Sequence, residues 1–282
     1  MMFHLISSEK DLESLDSVLF RYPYVAVDTE FRRTGKDKIE LALIQVNNSE
    51  ETFIIDCVSL GKYRNNCKFL FSKDIIKIFH SFKEDLEAIF FWTQSHLENI
   101  FDTQLANAFL GGSYSVGYQD LVYEKLDVLV DKRETRSNWI KRPLRDSQLI
   151  YAASDVQFLI DIFIAQKKDL EKSGKIDWIK EEIDFISKKI FFNEAENGSN
   201  RGHQKLSKIE ERSILKDFSK LVLVVSNKQG INPTMLFSKK GQKDFLKKCL
   251  YYGFNSATET IPKWKRHLLS DDLFLIFKDY FK

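Results

Sequence analysis

Residues 25–31, Val-Ala-Val-Asp-Thr-Glu-Phe, set two acids into an apolar run. Val25, Ala26 and Val27 have the character of a buried strand, and on a strand residues i and i+2 share a face. Asp28 and Glu30 therefore emerge side by side from the end of that strand. Like charges so close raise each other's pKa unless positive charge lies between them. Two more acids sit in apolar surroundings. Asp85 stands at the start of the amphipathic segment 83–92, and Asp155 follows Tyr151 by one helical turn on the same face. A hydrophobic core does not hold four converging carboxylates without cations. Hard divalent ions with oxygen ligands, two Mg²⁺ or Mn²⁺, resolve the repulsion, which makes Asp28, Glu30, Asp85 and Asp155 candidate metal ligands.

An α/β arrangement is expected to position these acids. Residues 11–20 have helical spacing, and 24–31, 39–48 and 51–58 read as strands. Residues 74–82 read as a helix or strand ending near His80, 83–92 as a helix, and 101–110 as a helix stopped by Gly111 and Gly112. Residues 146–174 form one long helix with room for a kink. Strands first, with helices interleaved, predict a mixed sheet. After residue 166 the strand signal fades. Residues 174–192 are helical, 193–204 are a polar linker with glycines, and 205–282 hold about four helical segments, broken at 227–233, 252–262 and 268–272. The run Lys220–Asn227 imitates a strand, but its apolar stripe continues that of 213–218 and predicts a buried helix.

The 282 residues, 43% of them hydrophobic, suffice for a large core and two domains. No run approaches the roughly 20 apolar residues of a membrane span, and the first ten residues lack the pattern of a signal peptide. Cys57, Cys67 and Cys249 are odd in number and widely spaced, which argues against a disulfide frame or a zinc site and fits a reducing, cytoplasmic compartment. The charge is uneven. Residues 1–165 carry 19 basic and 25 acidic side chains, net −6, and residues 166–282 carry 24 and 16, net +8. An acidic part joined to a basic part fits a metal-binding catalytic region with an appendage for polyanions.

The ordered motifs Asp28-Thr-Glu-Phe31, His80-Ser-Phe-Lys-Glu-Asp85 and Tyr151-Ala-Ala-Ser-Asp155 resemble the three motifs of the DEDD exonucleases with a tyrosine in the third. Residues 41–46, 101–111, 116–122, 132–156 and 174–182 are similar to segments of the bacterial ribonuclease D family. This resemblance implies an RNase H-like exonuclease domain, a mixed central sheet with helices on both faces, over 1–166. A helical connector and linker would span 167–204. An all-α region resembling the helicase-and-RNase-D C-terminal (HRDC) module would occupy 205–282, a single module where bacterial relatives carry two. The implied reaction is two-metal 3′–5′ exoribonuclease hydrolysis, releasing nucleoside 5′-monophosphates from RNA, with tRNA precursors bearing short 3′ tails as substrates. Asp28 would bridge both ions, Glu30 and Asp155 would hold the ion on the nucleophile side, and Asp85 the ion on the leaving-group side. Tyr151, a neutral phenol at pH 7, would orient the attacking water. The alternatives are a DNA-directed 3′–5′ exonuclease and a non-catalytic RNA-binding adaptor, although no motif acid is missing.

Smaller expectations surround the acids. Phe31, Leu41 and Ile44 are candidates to wedge against terminal bases, Gln104 to contact the terminal nucleotide, and His80 to pack beneath the site. The basic stretch 131–145 carries Lys132, Arg133, Arg136, Lys141, Arg142 and Arg145 around Trp139. Cations interleaved with an aromatic suit a phosphate backbone and an unstacked base, so Arg133, Arg136, Trp139, Lys141 and Arg142 are candidate substrate contacts. The expected partner is RNA rather than membrane, with the chain acting as a monomer.

Overall fold

Val25–Val27 and Leu41–Val46 are buried on both faces of the sheet they form, as near-continuous apolar runs require. The computed structural model describes residues 2–35, 38–61, 67–130, 134–191, 206–278 and 280. Two units result, residues 1–106 with 115–169, and residues 107–114 with 170–282.

Among the described residues the first unit is built on six strands, β1 (Phe3–Ile6), β2 (Tyr24–Gly35), β3 (Lys38–Asn47), β4 (Thr52–Asp56), β5 (Ile76–Phe79) and β6 (Ile100–Asp102). Their order is β1-β4-β3-β2-β5-β6. β2, β3 and β4 form an antiparallel meander, β1 joins β4 in parallel, and β5 and β6 extend the other edge in parallel. The sheet is therefore mixed, as expected. Two strands were not anticipated: β1, and the three-residue β6, which precedes the helix expected over 101–110. The ambiguous segment before His80 is a strand.

Among the described residues the helices here are, in chain order, α1 (Glu9–Leu19), the short α2 (Cys57–Leu60) and α3 (Lys68–Phe71), α4 (Lys83–Thr93), α5 (Thr103–Phe109), α6 (Tyr118–Leu126), α7 (Asp146–Ser154) and α8 (Leu159–Lys172). α4 packs against β2 and β3, and α7 against β3 and β4. The long helix expected over 146–174 is interrupted by a turn at 155–158. By length and composition residues 146–172 pass as a membrane span, but 56% of their most apolar stretch is buried in the protein, as in a core helix.

The second unit holds α9 (Ile176–Phe191), α10 (Lys208–Gln229), α11 (Pro233–Leu236), α12 (Lys239–Tyr252), α13 (Phe254–Glu259) and α14 (Lys263–Phe277). Ser207 and Glu210 form a capping box at the start of α10, and Gly230, at φ +58°, takes the left-handed conformation that ends it. The strand-like run Lys220–Asn227 lies inside α10 as a helix. The break expected at 268–272 does not occur. Asp271 and Asp272 lie on the exposed face of α14 while Leu269 and Leu273, four apart, are buried. Phe218, Phe237, Phe245, Phe254 and Phe277 form an aromatic core with ring centroids 5.0 to 6.4 Å apart. The linker expected over 193–204 lies outside the described residues. The three cysteines are free and buried.

Candidate active site

The register of the central strands sets the site. Asp28 pairs with Gln45 and Glu30 with Leu43 across β2 and β3. A β-bulge follows Glu30, where Phe31 pairs with Leu41. Bulges bend a strand and re-aim its side chains, and this one lies directly beside the two acids. Asp28 and Glu30 are half-buried. Thr29, between them, donates a 2.6 Å hydrogen bond to Asp85 Oδ1 and ties the start of α4 to β2. Asp85 is 7% exposed and Asp155 8%.

The four acids act on one another. Burial raises the Asp28 carboxyl well above the usual range, and Asp155 raises it further. Burial, then Asp28, Asp155 and Asp85, push Glu30 up to about 10. Burial and then Asp28 raise Asp85, against the hydrogen bond from Thr29. Burial pushes Asp155 up to about 7, and the Tyr151 hydroxyl offsets part of that rise. The acids cannot all be ionised at neutral pH unless positive charge is added. Among the described residues no group of three or more His, Cys, Asp or Glu side chains is arranged so that it could hold a metal ion. The donor set still fits a hard cation: it is all carboxylate oxygen, and Asp155 Oδ1 is buried with no hydrogen-bond partner among the described residues.

Tyr151 is buried and its hydroxyl lies 3.0 Å from Thr135 Oγ1. Burial, and then Asp155, raise its phenol above the usual value, so it is neutral at pH 7. Asp155 caps α7 at the break before α8. That break is clamped by Tyr118, which sequence reading missed. The Tyr118 hydroxyl donates to the Ser154 carbonyl at 2.9 Å and accepts from the Phe158 N–H at 3.3 Å. One phenol thus satisfies backbone groups that a helix break would orphan, and it fixes the turn bearing Asp155. No local pattern marks this role, since the partners lie 36 and 40 residues away.

His80 is satisfied on both ring nitrogens, Nδ1 by Thr103 Oγ1 and Nε2 by the Val116 carbonyl, each at 2.9 Å. The Gln104 amide donates to the Val116 carbonyl at 2.9 Å. Phe31 is half-buried, and Leu41 and Ile44 are buried core residues rather than wedges for bases. The basic stretch requires two corrections. Trp139 is 4% exposed and packs on Tyr151 with ring centroids 6.0 Å apart, so it has no face free for a base. Arg142 is committed to Asp56, with Nε and Nη2 at 2.7 and 2.5 Å from its two oxygens, and also donates to the Trp139 and Ala42 carbonyls. Burial would raise Asp56, but Arg142 and Ser59 hold its carboxyl below the usual range. This fork joins the 139–142 segment to β4 and is a structural ion pair, not a phosphate contact. Arg136 and Lys141 are exposed, and Lys132 and Arg133 lie outside the described residues.

Residues 3–171 match a family described as 3′–5′ exonuclease. The chain is 36% identical over 190 residues to Ribonuclease D of Sphingobium indicum, covering 66% of this chain and 49% of that one. It spans about half the length of the curated relatives it matches. Its fold is similar to that of Escherichia coli RNase D, described as an exoribonuclease involved in structured RNA processing, with a TM-score of 0.65 and 23% identity over 99% of this chain and 75% of that one. It is also similar to Brucella melitensis NrnC with bound Mg²⁺, with a TM-score of 0.57 and 23% identity over 68% of this chain and 95% of that one.

Proposed function

Because the chain belongs to the 3′–5′ exonuclease family, we propose that it is a two-metal 3′–5′ exoribonuclease that removes nucleoside 5′-monophosphates from RNA. The observation that carries this reading is the set of four buried or half-buried acids, from β2, the start of α4 and the α7–α8 break, in which Asp28, Glu30 and Asp85 each have their proton affinity raised by at least one of the others. Divalent cations, Mg²⁺ or Mn²⁺, held by Asp28, Glu30, Asp85 and Asp155, would neutralise these acids, acidify a water and stabilise the charge of the leaving oxygen. Tyr151 keeps its proton and donates it as a hydrogen bond, which orients the attacking water without removing a proton from it. The Tyr118 clamp and the Thr29 hydrogen bond hold Asp155 and Asp85 in place.

Substrate binding follows the charge. Arg136 and Lys141 are exposed beside the site helix and serve the phosphate backbone. Arg133 belongs to the same basic run in sequence. Phe31, half-buried past the bulge, and Gln104 meet the terminal nucleotide. The HRDC-like helices of 205–282 add affinity for structured RNA, such as tRNA precursors with short 3′ tails. In their support, a groove of about 340 Å³ in the second unit is lined by Lys189 and Lys248 together with Phe185 and Phe237. In this division of labour residues 1–166 perform the chemistry, 167–204 connect, and one chain acts alone in the cytoplasm.

The test is a pair of single strands of identical base sequence, one RNA and one DNA, with products separated by chromatography. Faster release of nucleoside 5′-monophosphates from the RNA is expected. Preference for the DNA strand overturns the ribonuclease reading, and nucleoside 3′-monophosphates overturn the mechanism.

A further inference from the structure

Gln45 breaks the pattern of its strand. β3 runs Leu-Ala-Leu-Ile-Gln-Val over residues 41–46, and all six residues are buried. The glutamine is 0% exposed, and neither Oε1 nor Nε2 has a hydrogen-bond partner among the described residues. An amide in that condition destabilises a fold, and an apolar side chain of the same size would not. Two positions along the same face, Asn47 shows the ordinary structural use of a buried amide. Its Nδ2 donates to Thr52 Oγ1 at 2.9 Å and its Oδ1 accepts from the Ser49 N–H at 2.8 Å.

The sheet register locates the exception. Gln45 pairs with Asp28 on β2 and with Ile54 on β4, and directly paired residues share a face. Ile54, and Leu43 two residues back on β3, pack in one cluster with Tyr151, Ala152 and Ala153 of α7. Gln45 therefore lies under the helix that leads to Asp155, beside the first acid of the site. The Cβ atoms of such a pair are about 4.5–5.5 Å apart, within reach of a side chain carrying two methylenes. The Gln45 amide and Asp155 Oδ1 are both buried without a hydrogen-bond partner among the described residues.

We propose that Gln45 is a positioning residue for Asp28, its amide N–H holding the Asp28 carboxylate in orientation when that carboxylate ligates a divalent cation. The inference rests on the metal-site reading above. Groups that orient metal ligands in this way raise affinity about 10- to 100-fold.

The experiment uses the full chain and the near-isosteric Gln45→Met variant. Melting is measured in EDTA, and Mg²⁺ binding by calorimetry, without substrate. The expected result is a melting temperature in EDTA equal to or above that of the wild type, with Mg²⁺ bound at least about tenfold more weakly. A lower melting temperature in EDTA assigns the amide a structural partner and overturns the proposal, whatever the Mg²⁺ affinity. Unchanged Mg²⁺ affinity overturns it as well. A wild type that binds no Mg²⁺ fails at an earlier point: it removes the metal site itself, and the inference with it.

Discussion

Asp155→Asn separates the electrostatic role of this acid from its place in the fold. Burial lifts its carboxyl from 3.8 to about 7. Between pH 4 and 7 the folded chain therefore binds more protons at this site than the unfolded chain. The stability linked to this group is fully present below the unfolded value and is lost as pH rises through about 7. Three pKa units at 1.36 kcal/mol each set an upper bound of about 4 kcal/mol of strain at pH 8. Asn has nearly the same shape and never ionises, but it still buries an amide, so about 2 kcal/mol of relief is expected, or roughly 4–8 °C in melting temperature. Calorimetric melts in EDTA at pH 8 and pH 4.5 would measure it. The variant should melt higher at pH 8 and show no gain at pH 4.5, while its hydrolysis of RNA falls below about 1% of the wild type. A melting temperature at pH 8 equal to or below the wild type, or an equal gain at both pH values, would refute the reasoning.

Tyr151→Phe should lower kcat by about 10²–10⁴-fold with KM nearly unchanged, since it removes a hydrogen bond to the reacting water; steady-state kinetics on a short oligoribonucleotide checks this. Arg142→Gln should lower stability by about 2–3 kcal/mol in urea titrations, because it leaves a buried Asp56 unpaired. The salt dependence of its RNA binding should match the wild type, and a shallower slope would return Arg142 to the phosphate contacts. Changing the exposed Lys239, Lys240, Lys243 and Lys247 of α12 to Gln should flatten the slope of log K against log salt for a structured RNA by about 1–3. The same change should spare kcat on a short strand, and an unaltered slope would make these lysines solvated surface only.

The acids were legible because local rules suffice for them. Strand alternation pairs Asp28 with Glu30, and helical spacing pairs Tyr151 with Asp155. Even the break at Asp155 was foreshadowed as a kink. What remained hidden depends on partners distant in sequence. β1 has little burial signal of its own, and it exists because Phe3–Ile6 pairs with Thr52–Ile55. Trp139 and Arg142 occupy a basic, aromatic stretch that reads as a nucleic-acid contact. Tyr151 and Asp56, the latter 86 residues away, instead draw them inward. Trp264 shows the same effect. Amid the lysines of α14 it resembles a surface aromatic, yet it is buried, with Nε1 donating to Glu182 at 2.9 Å. In each case tertiary packing overrode a local composition that suits solvent.

The most direct test uses one structured RNA with a short 3′ tail, labelled at either end, incubated with the wild type and with Asp28→Ala, in Mg²⁺ and in EDTA. With Mg²⁺, the wild type should release the 3′ label first as a mononucleotide and shorten the 5′-labelled strand one nucleotide at a time. EDTA or loss of Asp28 should abolish both signals. Release of the 5′ label first, internal fragments, or undiminished hydrolysis in EDTA or by Asp28→Ala would contradict the account.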